Sequence, residues 1–432
     1  MSPHRGADDA VNVEVGTAQA MVARARQAAS VLRVWPAAEK NRALAALADL
    51  IDSEADGLLA ANAADLAEAE TAGQRPALVD RLRLTPERVR AMARGVRDVV
   101  ALPDPVGEVV HVRRRPNGMR VGQMRAPIGV ILMIYEARPN VTTDAAALCV
   151  KAGNAAILRG GREARRSNAF LGGLLARCGL PDGAVQVVAD SDHALVTELL
   201  RSEGIDLVIP RGSERLIRSV VEHARMPVLK HFKGACHLFV DRDADLAVAE
   251  RIALNAKVDR PSTCNALETL LVDAPIATAF LPSMVRTLRA AGVEVRADAR
   301  TRDILAQTDP DLAASVVPAT EEDWGAEYLD LILGVRVVDG LDEALAHIQR
   351  HSTGLADAIV TQDEQKARRF LAAVDSAAVL VNASTRLVDG GEFGLGAEIG
   401  ISTDRIGPRG PMGLAELTSL KWVVLGEGQI RQ

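Results

Sequence analysis

The chain has 432 residues, of which 48% are hydrophobic and 25% charged, and its formal net charge is −6. This length exceeds what one hydrophobic core usually serves, so we expect roughly two or three domains. The negative charge excludes nucleic-acid binding as the main task, because no surplus of positive charge is available to displace counterions from phosphates. No uncharged apolar stretch reaches the ~18 residues of a membrane span, so we expect no membrane insertion.

Helices are predicted between residues 17 and 100, where apolar residues recur at helical spacing, and about the first dozen residues are expected to form a loose tail. The following segment, EVVHVRRRPNGMRVGQMRAP, predicts two strands joined at Asn117-Gly118, because Asn-Gly is the strongest short hairpin signal. Such a hairpin is typical of oligomer contacts, although a hairpin packed inside the protein fits the pattern equally well.

Strands and helices alternate from residue 127 to residue 240. The strand-like segments are IGVILMIY, AAILRG, VQVVAD, DLVIP and PVLKHF, and helical runs separate them. This alternation predicts a mostly parallel sheet covered by helices on both faces, as in a Rossmann-like, doubly wound domain. A second α/β unit follows, and the chain after it is rich in glycine, which is typical of loops that line a site.

A dinucleotide is expected at the turn in AAILRGGREARRSN, where Gly160 and Gly161 lie between Arg159 and Arg162. Exposed backbone N–H groups at such a turn suit an anion, and arginine accommodates the 2′-phosphate of NADPH. We expect no acidic side chain at this turn to hold an unphosphorylated ribose. The pattern therefore favours NADPH over NADH.

A second turn of this kind is Gly212-Ser213, which opens the next helix in DLVIPRGSERLIR. Neither turn contains GxGxxG, and glycines at strand ends often only shape a turn, so each signal is weak alone. Two such turns on one sheet favour a cofactor site.

The cysteines lack a metal-binding pattern, because no CxxC pair and no histidine at zinc-ligand spacing is present, so we expect no metal and a reduced, cytoplasmic protein. Cys149 and Cys178 lie in apolar helical runs and are expected in the core. Cys236 stands beside His237, but adjacent residues on a strand point to opposite faces, so no Cys–His pair is expected.

Cys264 is different, because it lies in Arg260-Pro-Ser-Thr-Cys-Asn-Ala266, a short loop before the strand LETLLV. A thiol on such a loop is exposed, and neighbouring backbone amides lower its pKa and favour attack by the thiolate. We therefore predict that Cys264 is a covalent nucleophile.

Several long blocks carry a family resemblance: YEARPNVTTDAAALCVKAGNAAILRGG, LVIPRGSERLIR, RPSTCNALETLLV, DWGAEYLDLIL, STRLVDGGEFGLGAEIGIST and RGPMGLAELTSLKW. They resemble the gamma-glutamyl phosphate reductases, also called glutamate-5-semialdehyde dehydrogenases, of the aldehyde dehydrogenase superfamily. The resemblance runs from about residue 100 to the C-terminus.

The resemblance implies roles for individual residues. Cys264 matches the nucleophile, and Asn140, expected at the end of a strand, resembles the asparagine that forms the oxyanion hole with the nucleophile's backbone N–H. Arg159 falls where the superfamily places a lysine on the cofactor ribose, and Arg162 falls near a position where NAD-preferring relatives often carry a glutamate. Glu327 resembles the glutamate that binds the nicotinamide ribose.

The resemblance also implies an anionic substrate, L-glutamyl 5-phosphate, for which Arg138, Arg260 and Arg405 are candidate partners. Members of the superfamily that release a carboxylate keep a general-base glutamate upstream of the cysteine. The corresponding stretch here, His231-Phe-Lys-Gly-Ala-Cys236, has no carboxylate. Phosphate is therefore favoured over water as the acyl acceptor.

We expect an α/β protein of the aldehyde dehydrogenase type that reduces L-glutamyl 5-phosphate with NADPH through a Cys264 thioester, a step of proline biosynthesis. Two alternatives are a hydrolytic, NAD-linked aldehyde dehydrogenase, which the missing glutamate disfavours, and a non-catalytic member of the fold, which an intact Cys264 and Asn140 disfavour. A homo-oligomer is expected, and association with a glutamate kinase stays open.

The expected domains follow chain order: 1–104 for the N-terminal helical part of the cofactor domain, 105–126 for the oligomerisation hairpin, 127–243 for the Rossmann-like cofactor domain, 244–374 for the catalytic domain, and 375–432 for the Gly-rich site loops and C-terminal oligomerisation tail.

Overall fold

The structure is a computed structural model that describes residues 17–188 and 193–431, with the backbone alone at positions 76 and 77. The expected N-terminal tail and the last two residues of VQVVAD lie outside these ranges. The described residues form two compact units. The first lies within Met1–Gly212, Ser219–Val228 and Leu417–Gln432, and the second comprises Ser213–Arg218 and Leu229–Glu416.

The first unit begins with helices, as predicted, and continues with alternating strands and helices. Its helices are α1 (Ala18–Leu32), α2 (Ala37–Ser53), α3 (Ala55–Thr71), α4 (Pro76–Leu82), α5 (Pro86–Ala101), α6 (Asn140–Lys151), α7 (Arg165–Arg177) and α8 (His193–Arg201), and α9 (Glu214–His223) follows at the boundary of the units. Its strands are β1 (Val109–Arg114), β2 (Arg120–Pro127), β3 (Val130–Tyr135), β4 (Ala155–Arg159), β5 (Val185–Val187), β6 (Leu207–Arg211) and, near the C-terminus, β16 (Thr418–Leu425).

Four strands of this unit form a parallel sheet in the order β5-β4-β3-β6. All side chains of β3 and β4 are buried, which explains why their sequences are nearly continuous hydrophobic runs. The chain order reverses between β3 and β6. In a doubly wound sheet a ligand binds at the carboxyl ends of the strands beside such a reversal.

The predicted hairpin forms a separate sheet. Strand β1 pairs antiparallel with β2 through Arg114 and Arg120 on either side of the Asn117-Gly118 turn, and β16 pairs antiparallel along the other edge of β2. The C-terminal strand therefore completes a three-stranded sheet with the hairpin.

The second unit also alternates strands and helices. Its helices are α10 (Leu246–Val258), α11 (Ala274–Ala290), α12 (Ala299–Thr308), α13 (Pro310–Ala314), α14 (Gly340–His351) and α15 (Glu364–Ala373). Its strands are β7 (Cys236–Val240), β8 (Leu267–Asp273), β9 (Glu294–Ala297), β10 (Val317–Pro318), β11 (Ile332–Val338), β12 (Ala356–Val360), β13 (Ala378–Val381), β14 (Gly400–Ser402) and β15 (Gly410–Met412).

Seven of these strands form a parallel sheet in the order β10-β9-β11-β8-β7-β12-β13. One hydrophobic core packs α10 and α11 against the sheet, and a second packs α14 and α15. Strand β7 lies in this sheet because it pairs with β8 and β12. Along the chain, the second unit therefore begins at Leu229 and includes β7, whereas the expected cofactor domain ran to residue 243.

The strand-like segment PVLKHF differs from its prediction, because it makes only an isolated bridge between Val228 and Val208. Its later residues are held by side chains instead, as in the bond from the Lys230 backbone N–H to Asp404 at 3.1 Å. Among the described helices, none is both long and apolar enough to cross a bilayer.

Candidate active site

Cys264 lies in the turn-rich loop that joins α10 to β8, which we call the nucleophile loop (residues 259–266). Two local bonds fold it: the Thr263 hydroxyl donates to the Arg260 carbonyl at 2.8 Å, and the Ala266 N–H donates to the Thr263 carbonyl at 3.1 Å. Cys264 is half-buried, whereas the other three cysteines are buried.

The residue after Cys264 anchors this loop to the rest of the unit. The buried Asn265 side chain donates to the Val388 carbonyl at 2.9 Å and accepts from the Thr263 hydroxyl at 2.9 Å. Because a buried amide with both ends bonded cannot rotate freely, it fixes the backbone direction at Cys264.

Gly234 contacts Cys264 directly through its backbone. A Cβ atom at Gly234 would overlap the carbonyl oxygen of Cys264, so no side chain fits there. The Gly234 N–H donates to the Glu327 carboxylate at 2.9 Å, and the Cys236 thiol donates to the Cys264 carbonyl at 3.5 Å. The stretch from His231 to Cys236, which has no carboxylate of its own, thus contacts the backbone of Cys264. The Glu327 carboxylate accepts a hydrogen bond from it.

Glu327 belongs to a segment that is held with strain. Leu329 has a φ of 56°, which is unfavourable for a side chain of this type. The Leu329 N–H donates to Glu268 at 3.4 Å, and Glu268 pairs with Lys257 at 2.7 Å in the interior. Burial raises the pKa of Glu268 to about 8 and lowers the pKa of Lys257. This buried pair keeps the Glu327 segment in place.

The remaining cysteines are poor nucleophiles. Burial raises the pKa of Cys149 to about 12 and that of Cys178 to about 11, so their thiolates are rare at neutral pH. The prediction that both lie in the core is confirmed.

Cys236 and His237 have separate partners, as the strand alternation predicts. The Cys236 thiol points to Cys264, whereas Nδ1 of His237 lies 3.1 Å from Asp357. Burial and the nearby negative charge of Asp357 raise the pKa of Cys236 well above its ordinary value.

In the first unit, Arg159 ends β4, which lies one strand away from the reversal of chain order between β3 and β6. Its side chain is 9% exposed, and its Nε has no hydrogen-bond partner within the described ranges. A buried donor of this kind requires a ligand or a water. A Cβ at the next residue, Gly160, would overlap the side chain of Asn168. An unpartnered cation beside a turn without side chains fits the ribose and phosphate of a nicotinamide dinucleotide.

The expectation that no acidic residue stands at this turn is wrong. Glu163 lies in the 3-10 turn after Gly161 and folds back over it, so that Gly161 is buried and its N–H is not exposed. The Glu163 carboxylate accepts the Ala137 N–H. The carboxylate therefore ties together the chain segments that follow β3 and β4, while Arg162 stays exposed.

The second glycine turn connects β6 to α9. Gly212 follows the last residue of β6, and the Ser213 hydroxyl accepts the Leu216 N–H at 3.4 Å. Ser213 thus caps the helix that it opens.

Asn140 was expected at a strand end, but it begins α6, because β3 already ends at Tyr135. Its side-chain amide donates to Asp144 one helical turn later at 2.9 Å. The second amide N–H has no acceptor in the described part of the chain. Burial raises the pKa of Asp144 to about 6, and the bond from Asn140 opposes this shift. Asp144 therefore fixes the direction in which the amide points.

The three candidate substrate arginines differ in their surroundings. Arg138 is half-buried in the loop after β3, and Arg260 is exposed in the nucleophile loop. Arg405 pairs with Asp375, and its side chain is 76% exposed. No group of His, Cys, Asp or Glu within residues 17–188 and 193–431 is arranged to hold a metal ion.

Sequence reasoning did not predict the contacts made by Gly234, by Glu163 and by Arg386, which donates to the side-chain oxygen of Asn265. Glu163 was visible beside Arg162 but was not connected with the turn. Gly234 and Arg386 bond to residues that are far away along the chain. Glu327 lies 93 residues from Gly234, and Asn265 lies 121 residues from Arg386. The only signal in the sequence for the role of Gly234 was its position just before the buried strand β7.

Known proteins are similar to this chain in sequence and in fold. The model of the aldehyde dehydrogenase family matches residues 10–322. A gamma-glutamyl phosphate reductase of Thermodesulfovibrio yellowstonii is 53% identical, over 91% of this chain and 93% of the relative. The crystal structure of the Thermotoga maritima gamma-glutamyl phosphate reductase has a TM-score of 0.92 at 45% identity, covering 96% of this chain and 100% of that one. An acetylating aldehyde dehydrogenase of Geobacillus thermoglucosidasius shares the fold, with a TM-score of 0.66 at 18% identity over 96% of this chain and 97% of that one.

Proposed function

The chain belongs to the aldehyde dehydrogenase family, and we propose that it reduces L-glutamyl 5-phosphate to L-glutamate 5-semialdehyde and phosphate with NADPH, a step of proline biosynthesis in the cytoplasm. Its relatives at about half identity carry the name gamma-glutamyl phosphate reductase. One observation carries the proposal: Cys264 is the half-buried cysteine, and its backbone is fixed by Gly234 and Asn265.

The chemistry follows from these residues. The Cys264 thiolate attacks the carbonyl carbon of the acyl phosphate, the C–S bond forms, and the C–O bond to phosphate breaks. The Asn140 amide and backbone N–H groups hold the oxyanion, and such donors are worth about 3 kcal/mol each. When bound, the cofactor supplies the hydride that reduces the thioester.

Cofactor binding is assigned to both glycine turns and to Glu327: Arg159, Gly160, Gly161, Arg162, Gly212, Ser213 and Glu327. The unpartnered Arg159 Nε and the exposed Arg162 support the preference for NADPH, because both cations suit a 2′-phosphate. The carboxylate at the turn, Glu163, accepts the Ala137 N–H. Rates with NADPH and NADH should differ, and Arg159→Ala should reduce the ratio. Equal kinetics with both cofactors would remove the role given to these arginines.

The three-stranded sheet supports a homo-oligomer. Its two outer strands, β1 and β16, leave edges open, and β16 exposes Trp422 by 68% and Val424 by 57%. Open edges and exposed apolar side chains favour pairing with another chain. In this proposal the first unit carries most of the cofactor-binding residues, the second unit carries the nucleophile as well as Ser213 and Glu327, and this sheet joins the subunits.

The activity can be tested in the oxidative direction with purified protein, glutamate 5-semialdehyde, NADP and phosphate, followed at the NADPH absorbance. Sustained turnover should require phosphate, because the stretch from His231 to Cys236 has no carboxylate of its own that could activate a water. Sustained turnover without phosphate, with glutamate as the product, would instead identify a hydrolytic dehydrogenase. Cofactor binding without turnover would identify a non-catalytic member.

A further inference from the structure

Arg386 spans the nucleophile loop. It lies in the 3-10 turn Thr385–Leu387, where its backbone N–H is held by the Ser384 hydroxyl at 3.3 Å. Its Nε donates to Asp259 at 3.1 Å, and its Nη1 donates to the side-chain oxygen of Asn265. These two partners lie at the beginning of the loop and directly after Cys264, so one guanidinium reaches across the loop that carries the nucleophile.

The same guanidinium has N–H donors that these two contacts do not use. Arginine has five N–H donors in a planar fork, and the contacts to Asp259 and Asn265 use Nε and Nη1. The Nη2 group has no protein acceptor in residues 17–188 and 193–431, and it is not sealed from solvent. The whole side chain is only 13% exposed. A mostly buried guanidinium with an open edge suits a planar or tetrahedral oxyanion, which it can bind through two parallel hydrogen bonds.

The charges around the loop favour an anion. Asp259, the ion-pair partner of Arg386, is 48% exposed, so water screens its charge and it neutralises the guanidinium only in part. Arg260 adds a second cation beside it. The loop therefore keeps positive charge next to Cys264.

We propose that Arg386 binds the phosphoryl group of the substrate, and equally the inorganic phosphate that attacks the thioester in the reverse direction. The inference rests on the proposed function. Arg386 bonds the side chain of Asn265, whose backbone adjoins Cys264. The phosphoryl group is attached through one oxygen to the carbon that the thiol attacks, whereas the carbon of the substrate's α-carboxylate lies four carbons farther along. Phosphate is therefore the anion closest to the sulfur.

The assigned step balances. In the reverse direction a phosphate oxygen attacks the thioester carbonyl, the new C–O bond forms, and the C–S bond breaks with its electron pair returning to Cys264. Arg386 donates hydrogen bonds to the other phosphate oxygens and keeps the nucleophilic oxygen next to the carbonyl. A guanidinium suits this task because it stays protonated throughout the working pH range.

The test measures the oxidative reaction of the full chain at varied inorganic phosphate. Arg386→Gln should raise the KM for phosphate at least tenfold, leave the KM values for NADP and the semialdehyde near wild type, and keep the burst of NADPH in phosphate-free buffer. Arg386→Lys should recover part of the loss, because it restores a cation without the fork.

Asp259→Asn is the matched control, since it removes the ion pair across the loop but keeps the guanidinium. Its KM for phosphate should stay at or below the wild-type value. If Asp259→Asn and Arg386→Gln instead lower kcat alike with unchanged KM for phosphate, Arg386 only clamps the loop and the proposal fails. A higher KM for the semialdehyde alone would assign Arg386 to the carboxylate and also overturn it.

Two further readouts separate the possible failures. A wild-type enzyme that turns over without phosphate would refute the proposed function itself, whatever Arg386 does. If Arg386→Gln does not fold, the rate at which iodoacetamide alkylates Cys264 can be compared in wild type and Arg386→Lys to test whether Arg386 binds phosphate. Phosphate should slow the alkylation of wild type at concentrations at least several-fold lower than it needs in Arg386→Lys, and equal protection of both would contradict the proposal.

Discussion

Gly234 and Cys264 meet backbone to backbone, which sets a strict size limit at position 234. Gly234→Ala would place a methyl group on the Cys264 carbonyl oxygen, so the nucleophile loop must move. We expect turnover to fall at least a hundredfold, because small displacements of a reacting group cost rates of this order. Steady-state kinetics and NADPH binding measured together test this, and binding should be retained.

Gly173→Ala is the control for that substitution. Gly173 lies in α7, where no heavy atom approaches within 4 Å of an added Cβ. It should keep full activity and raise stability by up to about 1 kcal/mol, since alanine replaces glycine in a helix. Equal activity of both variants would show that the contact between Gly234 and Cys264 has no influence on the nucleophile.

Asn140 and Asp144 form a second pair at the residue scale. Asn140→Ala should lower kcat about a hundredfold or more, because it removes an oxyanion donor. Asp144→Ala should lower kcat by less, since the amide remains but loses the acceptor that orients it at 2.9 Å. Neither change should weaken NADPH binding. Weakened binding with normal kcat in Asn140→Ala would assign this residue to the cofactor instead.

At the scale of elements, local patterns predicted most strands and helices correctly. The apolar runs of β3 and β4, the helical spacing of α1 to α5 and the Asn117-Gly118 turn each express a short-range preference. PVLKHF failed because the same apolar pattern is held by side chains such as Asp404, which lies 174 residues away from Lys230. A local pattern contains no information about such partners.

The candidate site was predictable only where a motif carried it. Cys264 was predicted from its short loop and from the family resemblance, and Asn140 from the resemblance alone. The bonds from Arg386 to Asp259 and Asn265 instead depend on how the chain after β13 returns to the nucleophile loop. The position of the Glu163 side chain over the glycine turn likewise depends on its bond to the Ala137 N–H, in the loop after the neighbouring strand β3. Tertiary contacts of this kind depend on the order of the strands in the sheet, which local sequence patterns do not predict.

The packing of α14 against β7 gives a prediction about pH. His347 on α14 is 4% exposed and stacks edge-on against His237 of β7 and Trp324. Burial, with the charges of His237, His351 and Arg336, lowers the pKa of His347 to about 2. Below pH ~6.5 the unfolded chain binds a proton here that the folded chain does not, so stability falls as the pH falls, by up to about 1.4 kcal/mol per pH unit.

His347→Phe keeps a ring at this position but cannot titrate. Its unfolding midpoint, followed from pH 7 to pH 5, should therefore decline less steeply than that of the wild type. Parallel declines of the two proteins would show that His347 is already protonated in the folded state or does not contribute to the loss.

At the scale of the whole molecule, the proposed activity depends on which acceptor, phosphate or water, resolves the thioester. A hydrolytic enzyme needs a base beside a water, which is worth roughly a hundred- to ten-thousandfold in rate. Around the nucleophile loop the structure offers a cation, Arg386, and a Glu327 carboxylate that already accepts the Gly234 N–H. The cation favours phosphate as the acceptor, and the lack of a carboxylate in the stretch from His231 to Cys236 disfavours water.

The most direct test is the mass of the protein after mixing with glutamate 5-semialdehyde and NADP in phosphate-free buffer. The account predicts about one glutamyl adduct per chain, located on the peptide that contains Cys264, absent in Cys264→Ser, and released when phosphate is added. An adduct on another cysteine, or continuous NADPH production with no adduct and no need for phosphate, would contradict it.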